Sequence, residues 1–138
     1  MKVFHDCLED CSLLLNYYKI EFQNVFDTQI AAMVIGLGDQ AGYDKLVQHY
    51  LKIEIDKSSR FTDWAARPLS ERQLTYALDD VIYLAKIYPI IHDELSTNNR
   101  LDWLNDEIHA LTQIALYKPD PQEAWKKLKV RSHKPDFL

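Results

Sequence analysis

At 138 residues and 47% hydrophobic content the chain can bury one core but not two, and 3 Gly, 5 Pro and no low-complexity tract mark it as ordered and mostly helical. No apolar run reaches the ~18 residues of a membrane span, and MKVFHDCLED lacks the apolar core and cleavage site of a secretory leader, which predicts a cytoplasmic protein with no membrane partner. A formal charge of −5 argues against a broadly basic nucleic-acid coat, although residues 125–135, WKKLKVRSHKP, hold five Lys and Arg and no acid.

In chain order, Lys2 to His5 forms a short strand candidate. Asp6 and Glu9 stand at capping-box spacing, and Leu13, Leu14 and Tyr17 recur at helical spacing to about Tyr18. Cys7 and Cys11 lie within this stretch with no second pair, so they predict buried small residues rather than a disulfide framework or a zinc site. Asn24 to Phe26 is a second strand candidate, and Asp27 can N-cap a helix from Thr28 to about Leu37 that Gly36 and Gly38 terminate. A further helix is predicted from Tyr43 to Lys52.

Ile53 to Leu69, IEIDKSSRFTDWAARPL, reads as polar loop, with Trp64 as a satellite anchor or, with its Lys and Arg neighbours, a ligand-facing group. Ser70 and Gln73 form a capping box opening a helix to near Tyr88, where Pro89 is expected to bend or end it. A last helix is predicted from Leu101 to Tyr117, and KPDPQEAWKKLK reads as a linker entering another. Five helices with two short strands leave helical faces that want a larger sheet than this chain encodes.

On a helical wheel, Leu74, Ala77, Leu78, Val81, Ala85 and Tyr88 make the expected core face of the helix after Ser70. Glu71, Arg72, Thr75, Asp79 and Lys86 make a solvent face, and Tyr76, Asp80, Tyr83 and Ile87 a third stripe. Tyr76 and Asp80, four apart, point into one space, either as an ordinary surface hydrogen bond or as parts of a site. Asp10 shares a face with Leu13, Leu14 and Tyr17, which predicts an inward carboxylate needing a cation, backbone N–H groups or a divalent metal as partner. Hard cations such as Mg²⁺ favour carboxylate oxygens, and phosphodiester hydrolysis often uses two such ions about 4 Å apart. His5 at the strand end is expected to be structural. No Gly-rich phosphate loop, HExxH or activated Ser or Cys nucleophile is visible.

The strings KVFHDCLEDCSLL, NVFDTQIAA, DKSSRFTDWAARPLSERQLTYALDDVIYL and, more loosely, YKPDPQEAWKKLK resemble the ribonuclease D family. These are 3′–5′ exoribonucleases of the DEDD superfamily, in its tyrosine-containing subgroup. The resemblance implies an α/β, ribonuclease H-like (DnaQ-like) exonuclease fold and two divalent cations, Mg²⁺ or Mn²⁺. It places the family's second-motif aspartate at Asp10 and its third motif, Tyr-x-x-x-Asp, at Tyr76 and Asp80. Asp80 would then hold the ion whose bound water attacks the phosphorus, Asp10 the other ion, and Tyr76 would orient the water. The first motif, an Asp-x-Glu on the opening strand of an antiparallel sheet, has no counterpart in these residues, and Arg60 stands where a glutamine is expected.

The resemblance therefore implies an incomplete fold, with the N-terminal antiparallel strands absent and this chain mostly α with two short strands. Residues 1–97 are expected to be the C-terminal part of the exonuclease domain, and 98–138 a helical extension and linker toward an absent HRDC domain. The expected partners are RNA 3′ ends, with tRNA precursors by family analogy, and a separately encoded N-terminal segment. Weak ion binding and at most trace activity are expected of the chain alone. The alternatives are a non-catalytic remnant or half-enzyme, and an RNA-binding module resting on the basic tail.

Overall fold

In this computed structural model residues 1–20 and 23–113 are described. The β-branched and aromatic residues of Lys2–Phe4 (β1) and Val25–Asp27 (β2) pair in parallel, with Lys2 opposite Val25, Val3 opposite Phe26 and Phe4 opposite Asp27. Parallel strands need a crossover, and here it contains α1, Leu8–Tyr18. Four helices follow: α2 (Thr28–Ile35), α3 (Tyr43–Leu51), α4 (Glu71–Thr97) and α5 (Leu101–Leu111). Among the described residues the structure thus holds the five helices and two strands expected.

One core joins these elements. Ile87, Ile91 and Leu95 repeat every fourth residue along α4 and are fully buried against Leu46 and Val47 of α3, Ala31 and Ala32 of α2, Phe26 of β2 and Leu104 of α5. Each such large side chain stabilises the fold by about 1.5–3 kcal/mol. A smaller cluster of Cys7, Cys11, Leu15 and Val25, with Ile108 and Leu111 beside it, seats α1. Both cysteines are buried thiols, neither in a disulfide. Gly36, at φ +94°, ends α2 in the left-handed conformation that a residue without Cβ adopts without strain.

The structure corrects several expectations. α4 does not stop near Tyr88 but runs to Thr97 with Pro89 inside it. Pro89 sits on the exposed side, and the buried Ile87, Ile91 and Leu95 offset the roughly 3 kcal/mol that an interior proline costs a helix. The expected core face of α4 is largely in solvent, with Leu74 47%, Leu78 56% and Val81 65% exposed. The inward stripe is instead the one through Gln73, Tyr76, Tyr83 and Ile87, because it continues into the buried residues of the helix's second half.

The Asp6–Glu9 capping box does not form: the cap of α1 is Cys7, without a side-chain cap bond. Asp6 takes a left-handed φ of 61°, and the Asp6 and Cys7 N–H groups donate to the carboxylate of Asp27. Finally, Asp10 is exposed, as are Leu13 and Tyr17, because α1 turns Cys11 and Leu15 inward. α5 ends at Leu111, ahead of the predicted Tyr117; that position, the linker KPDPQEAWKKLK and the basic stretch 125–135 lie outside the described residues.

Candidate active site

Two helix starts and one strand end meet at Asp27. This buried residue N-caps α2, its Oδ1 accepting from Gln29 N (2.7 Å) and Ile30 N (3.3 Å), while Oδ1 and Oδ2 also accept from Asp6 N (3.2 Å) and Cys7 N (2.7 Å). The knot fixes the turn between β1 and α1, and hence the place of His5 and of the first turn of α1 that carries Asp10. The cap is legible in the sequence; the second pair of amides is not, since nothing local links residue 27 to residues 6 and 7.

Beyond this knot opens a cleft of about 580 Å³ whose lining includes His5, Asp10, Tyr43, Lys57, Tyr76 and Asp80. Asp10 reaches it from α1, and Tyr76 and Asp80 reach it from the first half of α4. The three residues singled out from sequence therefore border one space, with Asp10 and the only partly shielded Asp80 exposed on its rim and Tyr76 half-buried. Burial, then the neighbouring Asp79, holds the Asp80 carboxyl above the ordinary carboxylate range, which favours a proton or a cation on it.

Tyr43, the first residue of α3, was not singled out from sequence, where an aromatic at a helix start carries no specific signal. Its hydroxyl lies 2.9 Å from both the Asp79 and Asp80 carbonyl oxygens, to which it can donate, tying α3 to α4 at the aspartate. Burial and the nearby Asp80 push its phenol well above the ordinary range, so it stays a neutral donor. Its ring meets His5 edge-on, with centroids 5.4 Å apart. The Thr28 hydroxyl donates to Phe4 O (2.9 Å), so the His5 Nδ1–Thr28 Oγ1 contact (3.0 Å) has Nδ1 as donor. His5 Nε2 is buried and makes no hydrogen bond of good geometry among the described residues, and burial, opposed by Asp27, Asp6 and the Ala41 backbone, lowers the imidazole pKa.

The loop before α4 is bound to the same place. The Trp64 ring tilts toward Tyr76 at 6.0 Å, and the Gln73 side chain serves twice: Oε1 accepts from Ser70 N in the capping box, while Nε2 donates to Thr62 Oγ1 and Asp63 O. Lys57 forms an ion pair with Asp44 on the cleft wall, lowering the Asp44 pKa through the hydrogen bond.

Could these residues hold divalent ions? Among the described residues no cluster of three or more His, Cys, Asp or Glu converges as a metal site. Asp10 and Asp80 offer two carboxylates, and Asp44 is already paired. A hard cation completes its shell with further oxygens, and a two-ion centre shares several carboxylates. The described residues fit part of such a donor set and not the whole.

Comparison with known proteins places the chain among its relatives. The sequence profile described as 3′–5′ exonuclease matches residues 1–96. A protein named Ribonuclease D from Sphingobium indicum is 44% identical over 138 residues, covering 100% of this chain and 36% of that protein. The crystal structure of Escherichia coli RNase D, described as an exoribonuclease involved in structured RNA processing, superposes with a TM-score of 0.83 at 34% identity, over 91% of this chain and 34% of that one. The structure of Brucella melitensis NrnC with bound Mg²⁺ matches with a TM-score of 0.72 at 26% identity, over 96% of this chain and 63% of that one. The chain thus spans about a third of the length of the curated relatives it matches.

Proposed function

The chain belongs to the 3′–5′ exonuclease family, among relatives named ribonuclease D, and on that premise we propose that it carries Asp10, Tyr76 and Asp80 as its share of an exoribonuclease active site. One observation carries this reading: two separate helices bring these residues to the border of a single cleft. Residues 1–97 would be the exonuclease portion. Residues 98–138 would be an extension that begins with α5 packed back on the same core through Leu104.

The substrate class is an RNA 3′ end, such as that of a tRNA precursor, processed in the cytoplasm. Two divalent cations, Mg²⁺ or Mn²⁺, would supply an activated water and neutralise charge on the leaving oxygen. Asp80 and Asp10 would each give one carboxylate, with the remaining ligands coming from outside residues 1–138, in the same polypeptide or a separate one. Tyr76, braced by Trp64, would orient a water with its phenol, and the raised pKa of Asp80 would make cation capture compete with a proton.

The test uses a 3′-extended tRNA precursor with Mg²⁺ or Mn²⁺. The 138-residue chain alone is expected to give no more than trace shortening, whereas the chain joined to a segment bearing an Asp-x-Glu strand should shorten the RNA from its 3′ end. Replacing Asp80 with Asn should abolish that activity. Robust shortening by the chain alone, or shortening that survives Asp80→Asn, would overturn the reading.

A further inference from the structure

The loop between α3 and α4 holds two side chains that the proposed chemistry does not use. Arg60 lines the cleft with Asp10, Tyr76 and Asp80, and its guanidinium carbon lies 5.2 Å from the centroid of the Phe61 ring. Phe61 is 89% exposed. A single exposed apolar side chain means little by itself; its company and its support give it meaning.

The support is a network of hydrogen bonds. Ser59 is buried, Arg60 N donates to Lys57 O at 3.1 Å, Thr62 N and Oγ1 donate to Ser59 O, and Gln73 clamps Thr62 and Asp63. Arg60 and Phe61 therefore project from between anchored residues, and ordering them on a ligand costs little chain entropy. The charge pattern is also uneven. Lys57 is neutralised by Asp44, but Arg60 has no carboxylate partner among the described residues; its contact is the Phe61 ring. A permanently charged, planar guanidinium beside an exposed aromatic face suits a single-stranded nucleotide, the cation meeting phosphate oxygens and the ring stacking on a base.

Building on the exonuclease reading above, we propose that Arg60 and Phe61 form a subsite that holds a single-stranded nucleic-acid segment at the mouth of the cleft, Arg60 on a backbone phosphate and Phe61 stacked on a base. Stacking reads the face of a base and not its hydrogen-bonding edge, so the subsite tolerates any sequence. The arginine at position 60, where a glutamine was expected, thereby becomes a substrate contact.

The test is fluorescence anisotropy with the full 138-residue chain in EDTA, using 5′-labelled hexa-adenylate and an abasic hexamer as probes. Phe61→Ala should weaken hexa-adenylate binding about tenfold and leave abasic binding unchanged, with Phe61→Trp restoring affinity. Arg60→Ala should weaken both probes and reduce the slope of log affinity against log salt by about 0.7. No binding by the parent chain, equal affinity of parent and Phe61→Ala, or an equal loss on the abasic probe would overturn the stacking; an unchanged salt slope in Arg60→Ala would overturn the phosphate contact. Should circular dichroism show that Phe61→Ala misfolds, Phe61→Leu against Phe61→Trp decides the matter, because leucine keeps apolar bulk and loses the ring. Asp80-dependent shortening together with binding indifferent to position 61 sinks the subsite and leaves the exonuclease reading standing. The opposite pattern keeps the subsite and sinks that reading.

Discussion

The two halves of α4 have the same secondary structure and opposite surroundings. From Ile87 to Leu95 the helix is locked in the core, with Ile87, Ile91 and Leu95 all 0% exposed. From Leu74 to Ile82 it carries four large apolar residues in water, Leu74, Leu78, Val81 and Ile82, beside the Tyr76 and Asp80 that border the cleft. One half anchors the helix and the other sets Tyr76 and Asp80 next to bare apolar surface. Helical periodicity alone therefore says that a face is apolar and not what covers it, and a contiguous apolar strip beside a cleft is a surface suited to burial against another segment.

Truncating one residue from each half separates the two surroundings most strongly. Ile91→Ala should lose roughly 2–5 kcal/mol in urea denaturation, whereas Leu78→Ala should change stability by no more than about 0.5 kcal/mol. Equal losses would mean that the outer strip is as well packed as the core. Next in size is Asp27→Ala, which strands four amides at two helix starts and should cost about 3 kcal/mol, with Asp27→Asn recovering part of it. Smaller is Tyr43→Phe, which removes only the hydroxyl that ties α3 to the Asp79 and Asp80 carbonyls; about 1 kcal/mol is expected, and no measurable loss would show that tie to be dispensable.

The smallest effect should be that of Asp80→Asn on stability. Burial and Asp79 raise the Asp80 pKa, so the folded state binds the proton more tightly than the unfolded chain and loses stability as pH rises through and above the ordinary value of 3.8. The asparagine variant should accordingly melt slightly higher than the parent at neutral pH, with the gain vanishing below the ordinary carboxylate range. A melting temperature that falls at neutral pH would show the carboxylate to be favourably paired instead.

Much of the fold was legible because its signals are local. The Ser70–Gln73 capping box, the Asp27 cap and the Gly36 stop each lie within four residues of what they control. The errors share a cause in distance. Asp6 lost its capping role to a carboxylate more than twenty residues away, Pro89 was outvoted by packing from α2 and α3, and Asp10 was turned outward when Cys11 and Leu15 claimed the inner face of α1. For the candidate site, the pairing of Tyr76 with Asp80 follows from helical spacing alone. Tyr43 and the orientation of the His5 ring could not be read, because both depend on elements that only the tertiary fold brings together.

The Asp27 knot has a kinetic consequence. One carboxylate holds the leading amides of α1 and α2, one on each oxygen, so neither helix can fray at its start without loosening the buried side chain that the other still needs. The Cys7 and Gln29 amides, far apart in sequence, belong to one opening unit and should trade their hydrogens for deuterium at matched rates, slower than the ends of helices ordinarily do. Asp10 and His5 flank that unit, so the α1 side of the cleft should open together with it, whereas the exposed outer face of α4 stands apart from it.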